Sequence, residues 1–265
     1  MQEKSLQTTT KQRVIIIIIT ILLLISTLGV YMLIVLNGGG SGGSDSLDAL
    51  TERYNEKYEE FLSANTEVSD KYFGEFSKYR ADVKAYNEAS ATNAVLDKKD
   101  LKKGDGRELG ENDTDYAAYY IGWCADGEVF DSSFDTSSQD TEVDSDEAQK
   151  VDIADAKSLL PPLFGASMAD GLIDGWNQGV VGMKLGGVRQ VTMNGDLAYG
   201  DTREICGGKN KPLRFIIMLV EPDQKLETLQ NELNDIQMDL YEAYMKNTSS
   251  STAGAIDATG ASAGE

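Results

Sequence analysis

The sequence contains no histidine. That absence removes Ser-His-Asp triads, Cys-His pairs, histidine-ligated zinc and histidine acid–base chemistry together. Cysteine is nearly as scarce: Cys124 and Cys206 are the two in 265 residues. Two are too few for an all-cysteine zinc site or a disulfide framework, although an oxidising compartment allows one bridge. Basic residues are also in short supply, 24 against 44 acidic ones, for a net charge of -20. Lys4, Lys11 and Arg13 stand against Glu3 in the first thirteen positions, so that stretch carries +2 and the remainder -22. A surface this acidic repels phosphate backbones, which argues against nucleic acid as a partner. Solubility is the plain role of the charge.

What is present begins with an apolar run. Val14 to Leu36 spans 23 residues without a charge and is dominated by Ile and Leu. As a helix it would be roughly 34 Å long, enough to cross a bilayer's hydrocarbon core. It is too long for the apolar region of a cleaved signal peptide, and no small-residue cleavage site or nearby cysteine follows it. The basic residues lie before it and Asp45 and Asp48 after it, so residues 1–13 are expected in the cytoplasm and everything beyond residue 36 outside. Lipid bilayer is therefore an expected partner through residues 14–36. Residues 37–46 read NGGGSGGSDS, a flexible Gly/Ser linker.

Residues 47–92 form a helical segment in this reading. Leu47, Leu50, Tyr54 and Phe61 mark one apolar stripe; Tyr72, Phe76, Tyr79, Val83 and Tyr86 repeat at four-three spacing. Asn65 and Thr66 are expected to separate two helices or cap the second. Helix-on-helix packing is the favoured role of the aromatic stripe, with a cradle for unfolded chains as the other. After Pro222, residues 222–246 carry Leu226, Leu229, Leu233, Ile236 and Leu240, a coiled-coil-like seam of about two heptads. So short a seam needs a partner, either the aromatic helices or a second copy in a helix-mediated dimer. Residues 247–265 are small and polar and are expected to be disordered.

Between residues 93 and 221 the periodicity changes. Tyr116 to Trp123 is an aromatic strand-like run, Asp126-Gly127 a turn, and Val129-Phe130 resumes the apolar pattern: a hairpin. Val188 to Met193 alternates as a strand, and Leu213 to Val220 is nearly continuously apolar, as for a strand buried on both faces. Asp174 to Val180 fits one short helix. The expected class is α+β, an antiparallel sheet with one small helix.

Three blocks here resemble the FKBP family: YIGWCADGEVFDSSFD (Tyr120 to Asp135), LIDGWNQGVVGMKLGGVRQVTMNGDLAYG (Leu172 to Gly200) and PLRFIIML (Pro212 to Leu219). Their order and spacing agree over roughly 125 residues. The resemblance implies an FKBP-like antiparallel half-barrel wrapped on a short helix, with flanking helices and the N-terminal transmembrane helix added. It implies peptidyl-prolyl cis-trans isomerase activity on X-Pro segments of exported or unfolded proteins, with no cofactor and no metal. By position, Trp176 would floor an aromatic pocket, and Tyr120, Phe130, Leu172, Ile173, Tyr199 and Phe215 would wall it. Asp131 would be a buried carboxylate that orients the site. The Tyr199 hydroxyl and the Ile205 backbone N–H would donate to the substrate carbonyl. The chemistry suits such residues: isomerisation makes and breaks no bond, so it needs neither nucleophile nor metal, only tighter binding of the twisted amide.

The chain departs from the family at three places. A long acidic loop, QDTEVDSDEAQ, follows Ser133; it lacks the order of a calcium-binding EF-hand and reads as solvated. The counterpart of the family's second pocket phenylalanine falls on Leu163 or Phe164. The flap GDTREICGGKNKP is charged and glycine-containing, and position 197 is Leu where compact members often have Tyr. Cys124 ends the tyrosine strand and Cys206 lies in the flap. One disulfide tethering the two and a pair of free thiols are both open, since sequence does not supply the geometry. Two functions fit besides a surface-tethered isomerase: a binding or chaperone module with little turnover, and helices serving only as a spacer.

Overall fold

A computed structural model describes residues 44–136, 151–165 and 172–257. The expected cytoplasmic end, the membrane run 14–36, most of the linker, the acidic loop and the last eight residues lie outside these. Among the described residues no helix is long and apolar enough to cross a membrane. The described chain divides into two compact units, one of residues 65–223 and one of residues 44–64 with 224–257.

The larger unit is built on an antiparallel sheet. Its strands are β1 (Leu96–Lys102), β2 (Ala117–Trp123), β3 (Val129–Ser132), β4 (Leu163–Phe164), β5 (Val188–Met193) and β6 (Leu213–Val220), in the order β1-β5-β6-β2-β3 with β4 paired to β2. The spans of β5 and β6 coincide with the alternating and the continuous apolar runs. β6 is flanked by β5 and β2, so its backbone is hydrogen-bonded on both sides. β1 lies at one edge and carries the exposed charges Lys98, Lys99 and Asp100, which discourage pairing with another chain.

β2 is almost wholly buried because both faces of the sheet are covered. Tyr116, Ala118 and Tyr120 point to one face, where α3 (Asp174–Val180) packs on β5. Tyr119, Ile121 and Trp123 point to the other. Covering that second face is the end of helix α1 (Ser44–Phe76): Phe76 stacks 5.4 Å from Phe134 and lies 6.1 Å from Tyr119, and Tyr72 lies 5.8 Å from Tyr119. The aromatic stripe therefore packs on the sheet and not on another helix. Its periodicity also outruns the helix: a 3-10 turn covers Ser77–Asp82, Tyr86 sits in an extended strap, and a short α2 (Glu88–Asn93) follows.

α1 runs unbroken through Asn65 and Thr66, contrary to the expected interruption. Helix propensity disfavours these residues by only a few tenths of a kcal/mol each, and tertiary bonds outweigh that. The Asn65 amide donates to the Leu159 carbonyl (3.1 Å), and the buried Ser69 hydroxyl accepts from the Leu159 N–H (2.8 Å). Beyond the end of α1, Arg80 of the 3-10 turn donates to the carbonyls of Ala154 and Ala156 and lies over the Phe134 ring. Residues 151–160 are thereby fixed along β3, with Val151 donating to Val129.

The smaller unit holds the start of α1 and α4 (Gln224–Asp257). Leu226, Leu229, Leu233, Ile236 and Leu240 are all buried, as are Phe61 and Ala64 of α1. Lys57 pairs with Glu232 across the two helices (3.1 Å). The seam thus finds its apolar cover within one chain. Two boundaries differ from expectation. α1 begins at Ser44, inside the expected linker, and α4 continues to Asp257, where a disordered tail was expected from residue 247. Extension costs far less than nucleation, so a nucleated helix propagates into Ser/Ala sequence that would not start one.

Candidate active site

The site grows from β2. Its cleft-facing residues Tyr116, Ala118 and Tyr120 meet Phe215 and Ile217 of β6 and Val191 and Met193 of β5 in one apolar cluster. α3 lies flush on β5 because residue 175 is glycine: a Cβ there would come within 2.4 Å of the Met193 sulfur. Arg189 holds the far end of α3, donating to the Gly179 and Val181 carbonyls and to Asp100 (2.8, 3.0 and 2.6 Å). A buried cation on the last carbonyls of a helix is a favourable cap. These contacts deliver Trp176, 2% exposed, to the base of the cleft, where its indole N–H donates to the Tyr116 hydroxyl (3.3 Å).

Around the indole the rings stand edge to face. Tyr120 is 5.6 Å away at 85° and Phe215 is 5.8 Å away at 83°; Phe130 meets Phe215 at 5.6 Å and 87°. Such geometry sets the positive ring edge against the negative face and adds about 0.5–1.5 kcal/mol per pair. Gly122 makes room for it, since a Cβ would approach both the Phe130 and Phe215 rings to 2.7 Å. Leu172 and Ile173, ahead of α3, and Tyr199 pack against the same cluster. So does Leu163, opposite Ala118 in β4, whereas Phe164 pairs with Ala117 and turns to the other face. The second wall position therefore belongs to Leu163.

The polar part is small. The Tyr120 hydroxyl donates to Asp131 (2.8 Å). Asp131 is not the buried residue expected: it sits on the edge strand β3 and presents surface to solvent. Its carboxyl nevertheless lies deep enough among protein atoms that desolvation raises its pKa, against the opposing pull of the Tyr120 hydroxyl, the Ser132 N–H and the Arg203 charge. Burial likewise raises Tyr120 well above its ordinary value, and raises Tyr199 despite the nearby Arg203. Both phenols keep their protons at neutral pH.

Ile205 differs from expectation more sharply. Its N–H donates to Gly208 (2.9 Å) and its carbonyl accepts from Gly208 (3.2 Å), closing a two-residue turn whose central residues, Cys206 and Gly207, both have left-handed backbones (φ 56° and 74°). Such a turn consumes that N–H, so it is not a donor for substrate. The Ile205 side chain joins the apolar cluster instead. Cys206 is disulfide-bonded to Cys124, with Cα atoms 5.4 Å apart, which ties the flap to the end of β2. Gly122, Tyr116, Arg189 and Arg203 were not singled out from the sequence. Of these, Gly122 carried a signal: a lone glycine inside an aromatic strand marks close approach.

The site is a cluster of aromatic rings with one phenol–carboxyl pair, a second phenol packed against it and no group suited to nucleophilic attack. Among the described residues no cluster of metal-ligating side chains occurs. Residues 108–220 match the family described as FKBP-type peptidyl-prolyl cis-trans isomerase. An FK506-binding protein of Streptomyces anulatus is 32% identical over 124 residues, covering 46% of this chain and 80% of the relative. An FK506-binding protein of Neisseria meningitidis serogroup B is 29% identical over 122 residues, covering 46% of this chain and 88% of the relative. The crystal structure of AtFKBP13 aligns with 48% of this chain and 93% of its own at 24% identity and a TM-score of 0.34. On the family match and the Streptomyces relative, the chain belongs to the FKBP-type peptidyl-prolyl cis-trans isomerases and is an enzyme of that class.

Proposed function

We propose that this isomerase works tethered to the outer face of a cytoplasmic membrane, turning over X-Pro bonds of exported chains as they fold. The observation that carries the catalytic part is the Trp176 indole boxed by Tyr120 and Phe215, with the Tyr120–Asp131 pair at its edge. A prolyl ring seated on the indole leaves the preceding carbonyl beside Tyr199, whose protonated hydroxyl donates to it. Rotation about the C–N bond must break amide resonance against a barrier of roughly 18–20 kcal/mol. The twisted amide is less polar than either planar form, so an aromatic recess that excludes water favours it. With the Ile205 N–H engaged by Gly208, Tyr199 is the donor this reading assigns.

The tether rests on the charge-free run from Val14 to Leu36 and its basic N-terminal flank. A chaperone role with little turnover is the second reading; the complete aromatic recess favours turnover. The test uses cells making the full chain. Isomerase activity towards an X-Pro peptide is expected to sediment with the membranes. It should fall at least about tenfold in Trp176→Leu, and it should move to the soluble fraction when residues 14–36 are removed. Negligible turnover by the unaltered chain supports the chaperone reading, and activity that stays soluble in the full chain removes the tether.

A further inference from the structure

We infer that Arg203 is a specificity-determining residue that selects X-Pro segments in which X is acidic. The inference rests on the seating proposed above, with the X carbonyl at the Tyr199 hydroxyl.

The flap from Gly200 to Asn210 is closed at its base, where Asn210 donates to Gly200 (2.8 Å), and at its tip by the Ile205–Gly208 turn. Between these fixed points stands Arg203. Its guanidinium carbon lies 4.9 Å from the centroid of the Tyr199 ring. The residue is exposed. Asp201 and Glu204 flank it in sequence, yet among the described residues no carboxylate forms an ion pair with it. Lys211, just past the base of the flap, is paired with Glu88. Arg203 is therefore a positive charge held over the one tyrosine assigned to the substrate carbonyl, on a chain of net charge -20.

The side chain of X begins one atom from that carbonyl carbon, so it and the guanidinium share the surroundings of a single phenol ring. A carboxylate on X gains the attraction of Arg203, and an ammonium on X meets repulsion. Asp131 is the acidic group already within Arg203's field, and it lies on the phenol side of the cleft with Tyr120. Its charge reaches Tyr199 as well and moderates the preference, while Arg203 is the group that lies over the Tyr199 ring. Exposed charge pairs are modest in water, so the preference is one of several-fold and not of orders of magnitude.

The experiment compares kcat/KM of the full chain for Ala-Glu-Pro-Phe, Ala-Leu-Pro-Phe and Ala-Lys-Pro-Phe, followed by exchange NMR without a coupling protease. The Glu peptide is expected to exceed the Lys peptide by about two- to fivefold, with the difference shrinking in about 0.5 M salt. R203K should keep the ratio, R203Q bring it close to one and R203E invert it. A ratio unchanged in R203Q overturns the inference, as does a preference for Lys in the unaltered chain. If Arg203 merely orders Tyr199, R203Q lowers all three rates together and leaves the ratio intact, which also overturns it. Absent turnover of the Leu peptide would instead defeat the turnover reading. The affinities of the three peptides, measured by calorimetry on the full chain and R203Q, would still decide the charge preference.

Discussion

Asp131, a candidate-site residue, is held in surroundings that disfavour its charge. Its carboxyl is hydrogen-bonded by Tyr120, yet desolvation wins and its pKa lies above the ordinary 3.8. The folded chain therefore keeps this proton to a higher pH than the unfolded chain. Linkage then fixes the sign: the stability associated with Asp131 is fully present below about 3.8, is lost as pH rises through the raised folded value, and is constant above it. At neutral pH the ionised carboxylate is a net cost to the fold. Asp131→Asn removes the charge while retaining an acceptor for the Tyr120 hydroxyl. The variant is expected to melt at the same or a higher temperature than the parent at pH 7, by calorimetry. Because a bond to a charged acceptor is stronger than one to a neutral amide, kcat/KM should fall by about five- to tenfold. A marked loss of melting temperature, or unchanged turnover, would contradict this account of the site.

At the scale of elements, the flap is a pre-organised clamp. Beyond its closed base and tip, the Tyr86 hydroxyl donates to the Pro212 carbonyl (3.0 Å), Lys211 pairs with Glu88, and the Cys124–Cys206 bridge spans a separation of 82 residues. Closing a loop of that length stabilises the fold by about 4–5 kcal/mol in the chain-entropy account. The bridge also holds Cys206 in a left-handed backbone that a side chain ordinarily resists. Reduction is thus expected to lower the denaturant midpoint substantially and to weaken peptide binding more than a remote destabilisation would; equal midpoints with and without reductant would remove the bridge from the account. Elements whose periodicity is local were legible in the sequence: β5, β6 and α3 occupy the expected spans. What was not legible depended on partners distant in the chain. Asn65 reads as a breaker until Leu159 is beside it. The Ile205 N–H reads as free until the Cys206-Gly207 turn closes, and a Cys-Gly pair gives a weaker turn signal than Asn-Gly. The residues of the aromatic cluster were legible because three separated blocks agreed, whereas Arg203, in the flap between them, had no pattern to join.

For the whole molecule, the domain that folds is larger than the family it belongs to. The family match begins at residue 108, but the compact unit begins at Asn65. Residues 65–88 roof the face of the sheet opposite the candidate site. Phe76, Tyr119, Trp123 and Phe134 are at most 1% exposed, and the Trp123 indole N–H donates to the Lys84 carbonyl (3.1 Å). Taking that roof away would uncover three large aromatic side chains at once, together with an indole N–H left without its acceptor. Phe76→Ala isolates the apolar part. Such truncations in a packed core cost about 3–5 kcal/mol, so the unfolding midpoint of the larger unit should drop accordingly. Deleting the roof is harsher. A chain of residues 65–223 is expected to unfold in one cooperative transition, and a chain of residues 93–223 to lose cooperativity or aggregate through the bared face of β2. If the shorter chain unfolds with the midpoint of the longer one, residues 65–88 are dispensable to the fold and the spacer view of the helical segment is restored. If it does not, the isomerase cleft and its roof form one folding unit, and β2 transmits the integrity of one face to the other: Tyr119 and Trp123 under the roof alternate along a single strand with Tyr120 at the cleft.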